Sequence, residues 1–339
     1  MIRAASTFLI AALLSHYLTP VLRQAAIRFG IVDRPDGKLK THAAPVPYLG
    51  GIAIYLSFLV ALALTLEFQR EVLGILLAGA IVVLLGLIDD LGGLPPGVKL
   101  AGQGVAVVAL LKASVVIKLT FLPEWLALAL SVVWLLAVTN AVNLLDVMDG
   151  LAAGAGLISA LVLAAVALGN ERDVVANLLA ALAGSLAGYV RYSVEPARIY
   201  LGDTGSLFIG LMLGALSMNN GYTRRNWVAS LAPVVILGLP LLDMLFVSYA
   251  RWRRGMPVFR GSPDHIALRL RRWRLTTRQT VWAGYAASVV FGALGVAMML
   301  VGSQAAVAIL LVTLVAALGL CGLLWRVGAE QALESGPGA

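Results

Sequence analysis

Long apolar segments separated by short polar ones repeat along the whole chain. A bilayer core of about 30 Å requires roughly 20 apolar residues in a helix, and shorter helices are tolerated at a cost. The pattern therefore predicts an all-α, polytopic integral membrane protein with about 11 transmembrane helices. The predicted spans are 4-22, 46-66, 72-88, 100-117, 123-141, 150-168, 173-190, 205-219, 228-248, 280-300 and 303-325. We expect residues 1-326 to form a single transmembrane domain, followed by a polar, disordered tail at 327-339.

The composition is also that of a membrane protein, and it argues against a cleaved signal peptide and a disulfide-rich fold. Hydrophobic residues make up 60% of the chain and charged residues 12%, which is far from the balance of a soluble domain. The first apolar segment ends in HYLTP without a small-residue cleavage pattern, so we interpret it as a membrane helix rather than a signal peptide. Cys321 is the single cysteine, which excludes a disulfide framework.

The distribution of basic residues predicts the orientation in the membrane. With the N-terminus outside, the loops 23-45, 89-99, 142-149, 191-204 and 249-279 lie on one side together with the C-terminus. That side holds 18 of the 25 Lys and Arg residues, so the positive-inside rule makes it cytoplasmic. The same sorting explains the net charge of +8, and no nucleic-acid-binding motif accompanies it. We therefore expect no nucleic-acid partner.

Aspartates are distributed even more unevenly than basic residues. Only Asp173 lies on the side expected to be external, whereas all the others lie in or beside the cytoplasmic loops. The positive-inside rule takes little account of acids, so a shared site is the better explanation. The aspartates on the cytoplasmic side are Asp33, Asp36, Asp89, Asp90, Asp146, Asp149, Asp203, Asp243 and Asp264.

The motif LIDDLGG places Asp89 and Asp90 where an apolar helix is predicted to end. A charged side chain near the bilayer centre costs about 2.5 to 3.5 kcal/mol on insertion scales. The pair is therefore expected to face water or a cation, although acids at the end of a membrane helix also occur for purely structural reasons.

The motif NAVNLLDVMDG carries a polar stripe on one side of a helix. Asn143, Asp146 and Asp149 are spaced by three residues, which covers an arc of about 120° on a helix of 3.6 residues per turn. The stripe begins at Asn140, inside the apolar run. A simple solvated helix end would not need polar residues there, so the motif favours a functional site.

The motif YLGDTGS directly precedes a short apolar helix. Asp203, Thr204 or Ser206 can cap that helix, and the glycines allow a phosphate or a metal-bound ligand to approach the backbone N–H groups. A cap alone needs only one such residue.

Together the three motifs supply oxygen ligands without Cys or His nearby, which suits Mg²⁺, or Mn²⁺, rather than zinc. Mg²⁺ is usually held by one or two carboxylates together with waters and substrate phosphates, so we expect a diphosphate substrate. Lys99, nine residues after Asp90, is placed to neutralise phosphate charge, although a lysine at a helix start is also a common membrane anchor.

A basic segment at 251-278 carries nine arginines. Within 264-275, Ile266, Leu270 and Trp273 share a helical face, and arginines that include Arg269 occupy the rest. This pattern predicts an interfacial helix on an anionic leaflet.

Five motifs in this order resemble a known family, the polyprenyl-phosphate N-acetylhexosamine-1-phosphate transferases of glycosyltransferase family 4. The resemblance runs from about Val32 to Gln279, and all five motifs fall in loops expected to be cytoplasmic. The motifs are VDRPDGKLKTHAAPVPYLGG, GLIDDLGGLPPGVKLAGQ, NAVNLLDVMDGLAAG, PARIYLGDTGS and SPDHIALRL. The opening VDRPDGKLKTH is most similar to the undecaprenyl-phosphate GlcNAc-1-phosphate transferase branch.

The resemblance implies a role for each matching residue. Asn143 and Asp203 would hold Mg²⁺. Asp89, Asp90 and Asp146 would form the catalytic centre, with Asp89 or Asp90 as base on the lipid phosphate. The implied substrate-binding residues are Lys99 and His265 at the diphosphate, Asp149 and Tyr200 at the uracil, and Asn140. Asp33, Asp36 and Asp243 receive no role.

Three positions depart from the family pattern. His265 is followed by Ile-Ala-Leu where many members have a His-x-His-His group. Ser193 stands where an Asn is usual, and Tyr200 replaces the more usual Phe, a conservative change because either ring can stack.

The resemblance therefore implies a Mg²⁺-dependent transferase of the bacterial inner membrane. It would move GlcNAc-1-phosphate from a UDP-sugar to a polyprenyl phosphate and release UMP, either by direct attack or through an aspartyl intermediate. The membrane and a second copy of the chain, in a homodimer, are further expected partners. The alternatives are a phospho-MurNAc-pentapeptide transferase, a cation-coupled transporter, and a non-catalytic member that binds the lipid carrier.

Overall fold

The computed structural model describes residues 1–33, 46–119, 121–218, 220–257 and 262–334, with side chains described up to residue 326. These residues form two compact units, Met1–Gly221 and Tyr222–Ala339. Part of the predicted loop 23-45 and the last residues of the predicted tail lie outside the described residues. The expectation of a single domain stays a prediction.

The first unit contains eight helices and one pair of very short strands. The strands, β1 (Val32–Asp33) and β2 (Val46–Pro47), pair antiparallel, with Asp33 opposite Val46. The helices are α1 (Ile2–Arg28), α2 (Gly50–Thr65), α3 (Arg70–Gly92), α4 (Pro96–Lys112), α5 (Glu124–Leu145), α6 (Leu151–Gly169), α7 (Asp173–Ser193) and α8 (Gly202–Ser217).

Helix α8 lies at the centre of the first unit, because every residue from Thr204 to Ser217 is buried. Helices α2, α3, α5 and α6 pack around it. Its neighbours approach very closely: a Cβ atom at Gly51 would clash with the backbone of Gly205, and one at Gly86 would lie 2.5 Å from the Thr204 Cα. Small residues at such crossings let membrane helices pack backbone to backbone.

The second unit contains the remaining helices. They are two short 3-10 helices, Tyr222–Arg224 and Val228–Leu231, followed by α9 (Ala232–Ile236), α10 (Gly238–Arg253), α11 (Ile266–Arg272), α12 (Thr277–Leu300) and α13 (Ser303–Glu334). Thr276 begins α12 with a capping box, in which its side chain accepts from the Gln279 N–H and the Gln279 side chain accepts from the Thr276 N–H. Helix α13 continues to Glu334, into the segment for which the sequence predicts disorder.

Every predicted span overlaps a helix, and the chain is an all-α, multi-pass membrane protein. By length and apolar content, seven helices of the described residues qualify as spans, or eight when Val228–Ile236 and Gly238–Arg253 are counted as one span with a 77° bend. The predicted count of about 11 is not confirmed, because α2, α4 and α8 have only 16, 17 and 16 residues. The orientation stays a prediction.

The basic segment differs from its predicted form in two respects. Ile266 and Leu270, predicted to face the leaflet, pack with Phe246 and Leu324 inside the second unit. The sequence predicted Arg269 on an outer, solvated face of α11. This prediction is wrong, since the Arg269 side chain is buried, with 1% of the residue exposed. Its guanidinium pairs with Asp264 at 3.0 Å, donates to the Leu324 carbonyl at 3.0 Å and lies over the rings of Phe246 and Trp325. Trp273 and the arginines 271, 272 and 274 are exposed, as expected of an interfacial segment.

Candidate active site

Four helix ends bring the predicted site residues of the first unit together. Asp89 and Asp90 lie in the last turn of α3, and Asn143 lies in the last turn of α5. Lys99 lies in the first turn of α4, and Asp203 lies in the first turn of α8. The carboxylates that are scattered through the sequence therefore form one cluster.

The ammonium group of Lys99 stands at the centre of this cluster. Its Nζ atom lies 3.0 Å from Asp89 Oδ2 and 3.2 Å from Asn143 Oδ1, and it also contacts Asp203 Oδ2. The carboxylates of Asp89 and Asp203 are themselves within hydrogen-bonding distance of each other. One ammonium group thus neutralises two carboxylates, and the three contacted oxygen atoms converge on one point.

Asn143 fixes the side chain of Asp203 from the opposite side. Its Nδ2 atom donates to Asp203 Oδ1 at 2.6 Å and to Ser206 Oγ at 2.8 Å. Ser206 in turn donates to the Gly202 carbonyl at 3.0 Å. The amide oxygen of Asn143 remains directed toward Lys99, so the side chains of Asn143 and Asp203 present oxygen atoms to the same place.

Asp90 faces the backbone of α8 instead. Its carboxylate accepts from the Asp203 N–H at 2.8 Å, from the Thr204 N–H at 3.1 Å and from the Thr204 hydroxyl at 2.7 Å. Thr204 was considered from sequence only as a cap for its own helix. The structure shows that it is a donor to a carboxylate of α3.

Asp146, immediately after α5, is the least satisfied acid of the cluster. Within the described residues, no hydrogen bond or ion pair reaches its carboxylate. Removal from water raises the pKa of Asp146 to about 8, and the negative charges of Asp203, Asp90 and Asp149 add to the effect. A carboxylate in this position requires either a proton or a cation beside it.

These oxygen atoms fit Mg²⁺. No group of three or more His, Cys, Asp or Glu side chains in the described residues forms a metal cage. Mg²⁺ does not need one, because it is commonly bound through one or two carboxylates while waters and phosphate oxygens complete the octahedron. Asp203 and Asn143 direct oxygen atoms toward one point. A cation bound there would also balance the negative charge of Asp146, which has no partner within the described residues.

Asp149 and Tyr200 lie beside the cluster and belong to one loop system. Asp149 Oδ2 accepts from the Ala197 N–H at 2.9 Å, which ties the loop that leads to α8. Partial burial raises the pKa of Tyr200 to about 12, with further contributions from Asp149, Asp33 and Asp146. The Tyr200 hydroxyl is therefore neutral and able to donate.

Sequence reasoning missed Asp33 and Tyr48. Pairing of β1 with β2 brings them together, and the Tyr48 hydroxyl hydrogen-bonds the Asp33 carboxylate. Burial together with that carboxylate raises the pKa of Tyr48, and the Tyr48 ring lies 6.3 Å from the Tyr200 ring. Asp33, to which the sequence assigned no role, thus lies beside the candidate site. The signal available in the sequence was its place in the first family motif.

Asn140 is held by an amide pair within the membrane helices. Its Nδ2 atom donates to Gln103 Oε1 at 2.6 Å and to the Leu136 carbonyl at 2.8 Å, while Gln103 Nε2 donates back at 3.3 Å. Gln103, which is 1% exposed, was also missed from sequence. This pair fixes the polar stripe of α5 one turn before Asn143.

His265 belongs to the second unit and has a carboxylate partner. Its Nδ1 atom lies 2.8 Å from Asp243 Oδ2, and Asp243 Oδ1 accepts from the Ile266 N–H at 2.7 Å. Both side chains are buried. Asp243, to which the sequence assigned no role, therefore orients the His265 ring and caps α11. A role of His265 at a diphosphate stays a prediction.

Comparison with known proteins identifies the family of the chain. The family model described as glycosyl transferase family 4 matches residues 72–220, which include every predicted site residue except His265. A probable undecaprenyl-phosphate N-acetylglucosaminyl 1-phosphate transferase of Bacillus subtilis is 32% identical, over 86% of this chain and 84% of its own length.

Two further relatives have similar identity. A decaprenyl-phosphate N-acetylglucosaminephosphotransferase of Mycobacterium tuberculosis is 31% identical, over 84% of this chain and 80% of its own. A phospho-N-acetylmuramoyl-pentapeptide-transferase of Heliobacterium modesticaldum is 31% identical, over 85% and 94%. The motifs, the clustered carboxylates and these similarities agree, and the chain belongs to glycosyl transferase family 4.

Proposed function

We propose that this chain transfers N-acetylhexosamine-1-phosphate, with GlcNAc-1-phosphate as the first candidate, from a UDP-sugar to a polyprenyl phosphate such as undecaprenyl phosphate. UMP is the second product. The reaction depends on Mg²⁺, takes place at the cytoplasmic face of a bacterial inner membrane, and is the first membrane step of cell-envelope glycan synthesis. The names of the Bacillus and Mycobacterium relatives support this reaction class.

The observation that carries the proposal is the convergence of Asp89, Lys99, Asn143 and Asp203 from four separate helices. The oxygen atoms of this cluster can bind a divalent cation, and Lys99 together with that cation can neutralise the charge of a diphosphate. Asn143 and Asp203 would hold Mg²⁺, with Asp146 beside it. The bound metal supplies positive charge that withdraws electrons from the diphosphate and stabilises the departing phosphate.

The residues of the chain bring two anions together and keep them reactive. Lys99 leaves its carboxylate partners to bind phosphate oxygens, and Asp89 accepts the last proton of the lipid phosphate. A lipid phosphate oxygen then forms a bond to the phosphorus that carries the sugar, and the bond from that phosphorus to UMP breaks. Positioning and charge neutralisation supply most of the catalysis in such transfers. A covalent aspartyl intermediate is the competing route.

A purified full-length preparation tests this function directly. It is incubated with undecaprenyl phosphate, Mg²⁺ and either UDP-GlcNAc or UDP-MurNAc-pentapeptide, and UMP release is measured. We expect release with UDP-GlcNAc, loss of about 100-fold or more in Asp203→Ala, and little change in Asp173→Asn, an exposed acid at the start of α7. Release only with the pentapeptide donor favours the alternative transferase, and no release with any UDP-N-acetylhexosamine refutes the proposal.

A cation-coupled transporter is less consistent with the geometry. Transporters bind their ions near the bilayer midplane, on broken helices between repeated halves. Here the acids lie at the ends of α3 and α5 and at the start of α8. Uptake measurements in proteoliposomes, with Asp173→Asn as the control, would detect a transporter.

A further inference from the structure

The two adjacent aspartates of α3 have different surroundings. The carboxylate of Asp90 receives three hydrogen bonds from the first turn of α8, two from backbone N–H groups and one from the Thr204 hydroxyl. The first N–H groups of a helix have no partner within the helix and are usually capped by a side chain just before it. In α8, Leu201 occupies that position and provides no cap. Asp90 therefore caps α8 from another helix.

Close backbone packing holds Asp90 in this position. Gly86 lies one turn earlier on the same face of α3, and a Cβ atom there would lie 2.5 Å from the Thr204 backbone. Gly202 has a φ angle of +70°, and a Cβ atom at this residue would lie 2.5 Å from Asp90 Oδ2. The contact thus depends on glycine on both helices, and the Asp90 carboxylate cannot move toward a substrate without uncapping α8.

Asp89 faces another direction, because successive residues of a helix differ by about 100°. Its Oδ1 atom accepts from the Leu94 N–H, and its Oδ2 atom lies 3.0 Å from Lys99 Nζ. In the proposed function Lys99 moves onto a phosphate oxygen, which frees that oxygen atom of Asp89. Of the two neighbours, Asp89 therefore retains an acceptor that a substrate proton can reach.

We propose that Asp90 is a positioning residue and not the base. It caps α8 and thereby fixes the backbone of Asp203, whose carboxylate is the candidate metal ligand. Asn143 and Lys99 hold the side chain of Asp203, and Asp90 holds its main chain. This inference rests on the proposed function, because it divides the catalytic role that the sequence gave to both acids of the motif.

The test compares metal affinity with turnover in the full-length protein. Asp90→Asn turns an N–H group toward the N–H donors of α8 and breaks the cap. Thr204→Val removes one of the three donors and leaves the Asp90 side chain unchanged. Thr139→Val is the matched control, since this buried hydroxyl bonds the Leu135 carbonyl of its own helix. Mn²⁺ affinity is measured by electron paramagnetic resonance, and UMP release is measured over a range of Mg²⁺ concentrations.

We expect Asp90→Asn to weaken Mn²⁺ binding by about tenfold or more, as removal of a residue that orients a metal ligand typically does. Thr204→Val should weaken it by about threefold, the effect of one hydrogen bond. In both variants kcat at saturating Mg²⁺ should stay within about fivefold of wild type, because the base, which contributes about 10²- to 10⁴-fold, is still present. Thr139→Val should bind Mn²⁺ as wild type does.

A fall in kcat of about 100-fold or more at saturating Mg²⁺, with unchanged Mn²⁺ affinity in Asp90→Asn, would make Asp90 the base and overturn the inference. If Asp90→Asn does not fold, Thr204→Val decides: wild-type Mn²⁺ affinity and Mg²⁺ requirement would overturn it as well. Failure of the proposed function is distinguishable, because a protein that releases no UMP still reports through Mn²⁺ binding. Absence of Mn²⁺ binding in wild type would leave no metal ligand to position and would also overturn the inference.

Discussion

Metal affinity should rise steeply with pH because of Asp146. This carboxylate has no hydrogen-bond or ion-pair partner within the described residues, and burial among Asp203, Asp90 and Asp149 raises its pKa to about 8. The shift is upward from the ordinary value for an aspartate, so between about pH 4 and pH 8 the folded protein keeps a proton there. A divalent cation binds the ionised form, and its binding must therefore release that proton.

The size of the effect follows from the pKa. Competition by one proton weakens metal binding by a factor of one plus ten to the power of pKa minus pH, which is about 100 at pH 6 and about 2 at pH 8. We therefore expect Mn²⁺ to bind about 50-fold more tightly at pH 8 than at pH 6, with little further gain above pH 9. Asp146→Asn removes the titrating group, so its affinity should be lower at pH 8 and should change much less with pH.

The assay is a Mn²⁺ titration followed by electron paramagnetic resonance at pH 6, 7 and 8, with proton release measured in parallel by a pH indicator. Asp173→Asn, which removes an exposed aspartate at the start of α7, is the control and should follow wild type. Equal Mn²⁺ affinity at pH 6 and pH 8 in wild type would refute the reasoning. An equally steep pH dependence in Asp146→Asn would assign the proton to another group.

Three further predictions concern packing, base stacking and the second unit. Gly86→Ala should lower the Tm by several degrees in differential scanning fluorimetry, because overpacking costs about 1–3 kcal/mol. The control is Gly92→Ala, whose added Cβ would have no heavy atom within 4 Å, and equal Tm shifts in the two variants would contradict the packing argument. Tyr200→Ala should weaken UDP binding in calorimetry by about 1–3 kcal/mol, whereas Tyr200→Phe should match wild type; equal losses would assign the effect to the hydroxyl. In ¹⁵N NMR of labelled histidines, neutral His265 should carry its ring proton on Nδ1 in wild type and on Nε2 in Asp243→Asn, because the carboxamide donates to Nδ1 where the carboxylate accepted from it. An unchanged tautomer would exclude Asp243 as the group that orients the ring.

The helices were predictable because the bilayer imposes a strong local rule. A spanning segment must be apolar and helical, and each predicted apolar run does overlap a helix. The rule fails to separate a helix surrounded by lipid from one surrounded by protein, since both are apolar. Helix α8 is such a case, because it has 16 residues and is buried from Thr204 to Ser217. This explains why the sequence predicts more spans than length and apolar content alone support.

The candidate site was predictable in part, for a related reason. Acids near an apolar run are costly, so their concentration at helix ends indicated a shared site, and Asp89, Asn143 and Asp203 do lie together. Contacts between distant segments leave no local pattern. The bonds of Gln103 to Asn140 and of Asp33 to Tyr48 join residues whose own neighbours in sequence give no reason to pair them.

Arg269 illustrates how a periodic pattern can give the wrong environment. An arginine among arginines on a short helix was assigned to the leaflet surface, where a charge is normally solvated. In the structure its charge is balanced by Asp264, its guanidinium lies over two aromatic rings, and the Leu324 carbonyl of α13 accepts a hydrogen bond from it. Burial of a guanidinium is tolerable only with such partners. Three of these partners, Phe246, Leu324 and Trp325, lie far away in the sequence.

The two adjacent acids of the motif LIDDLGG have different contacts in the structure. On a helix, neighbouring side chains point about 100° apart, so one of them can bond the backbone of a packed helix while the other faces a different group. Asp90 is directed toward α8 and Asp89 toward Lys99. The proposed metal site would use both functions, because a ligand on an uncapped first turn is poorly fixed. In the proposed function, one of the two adjacent carboxylates at the end of α3 would fix Asp203 on α8, and the other would remain an acceptor for the substrate proton.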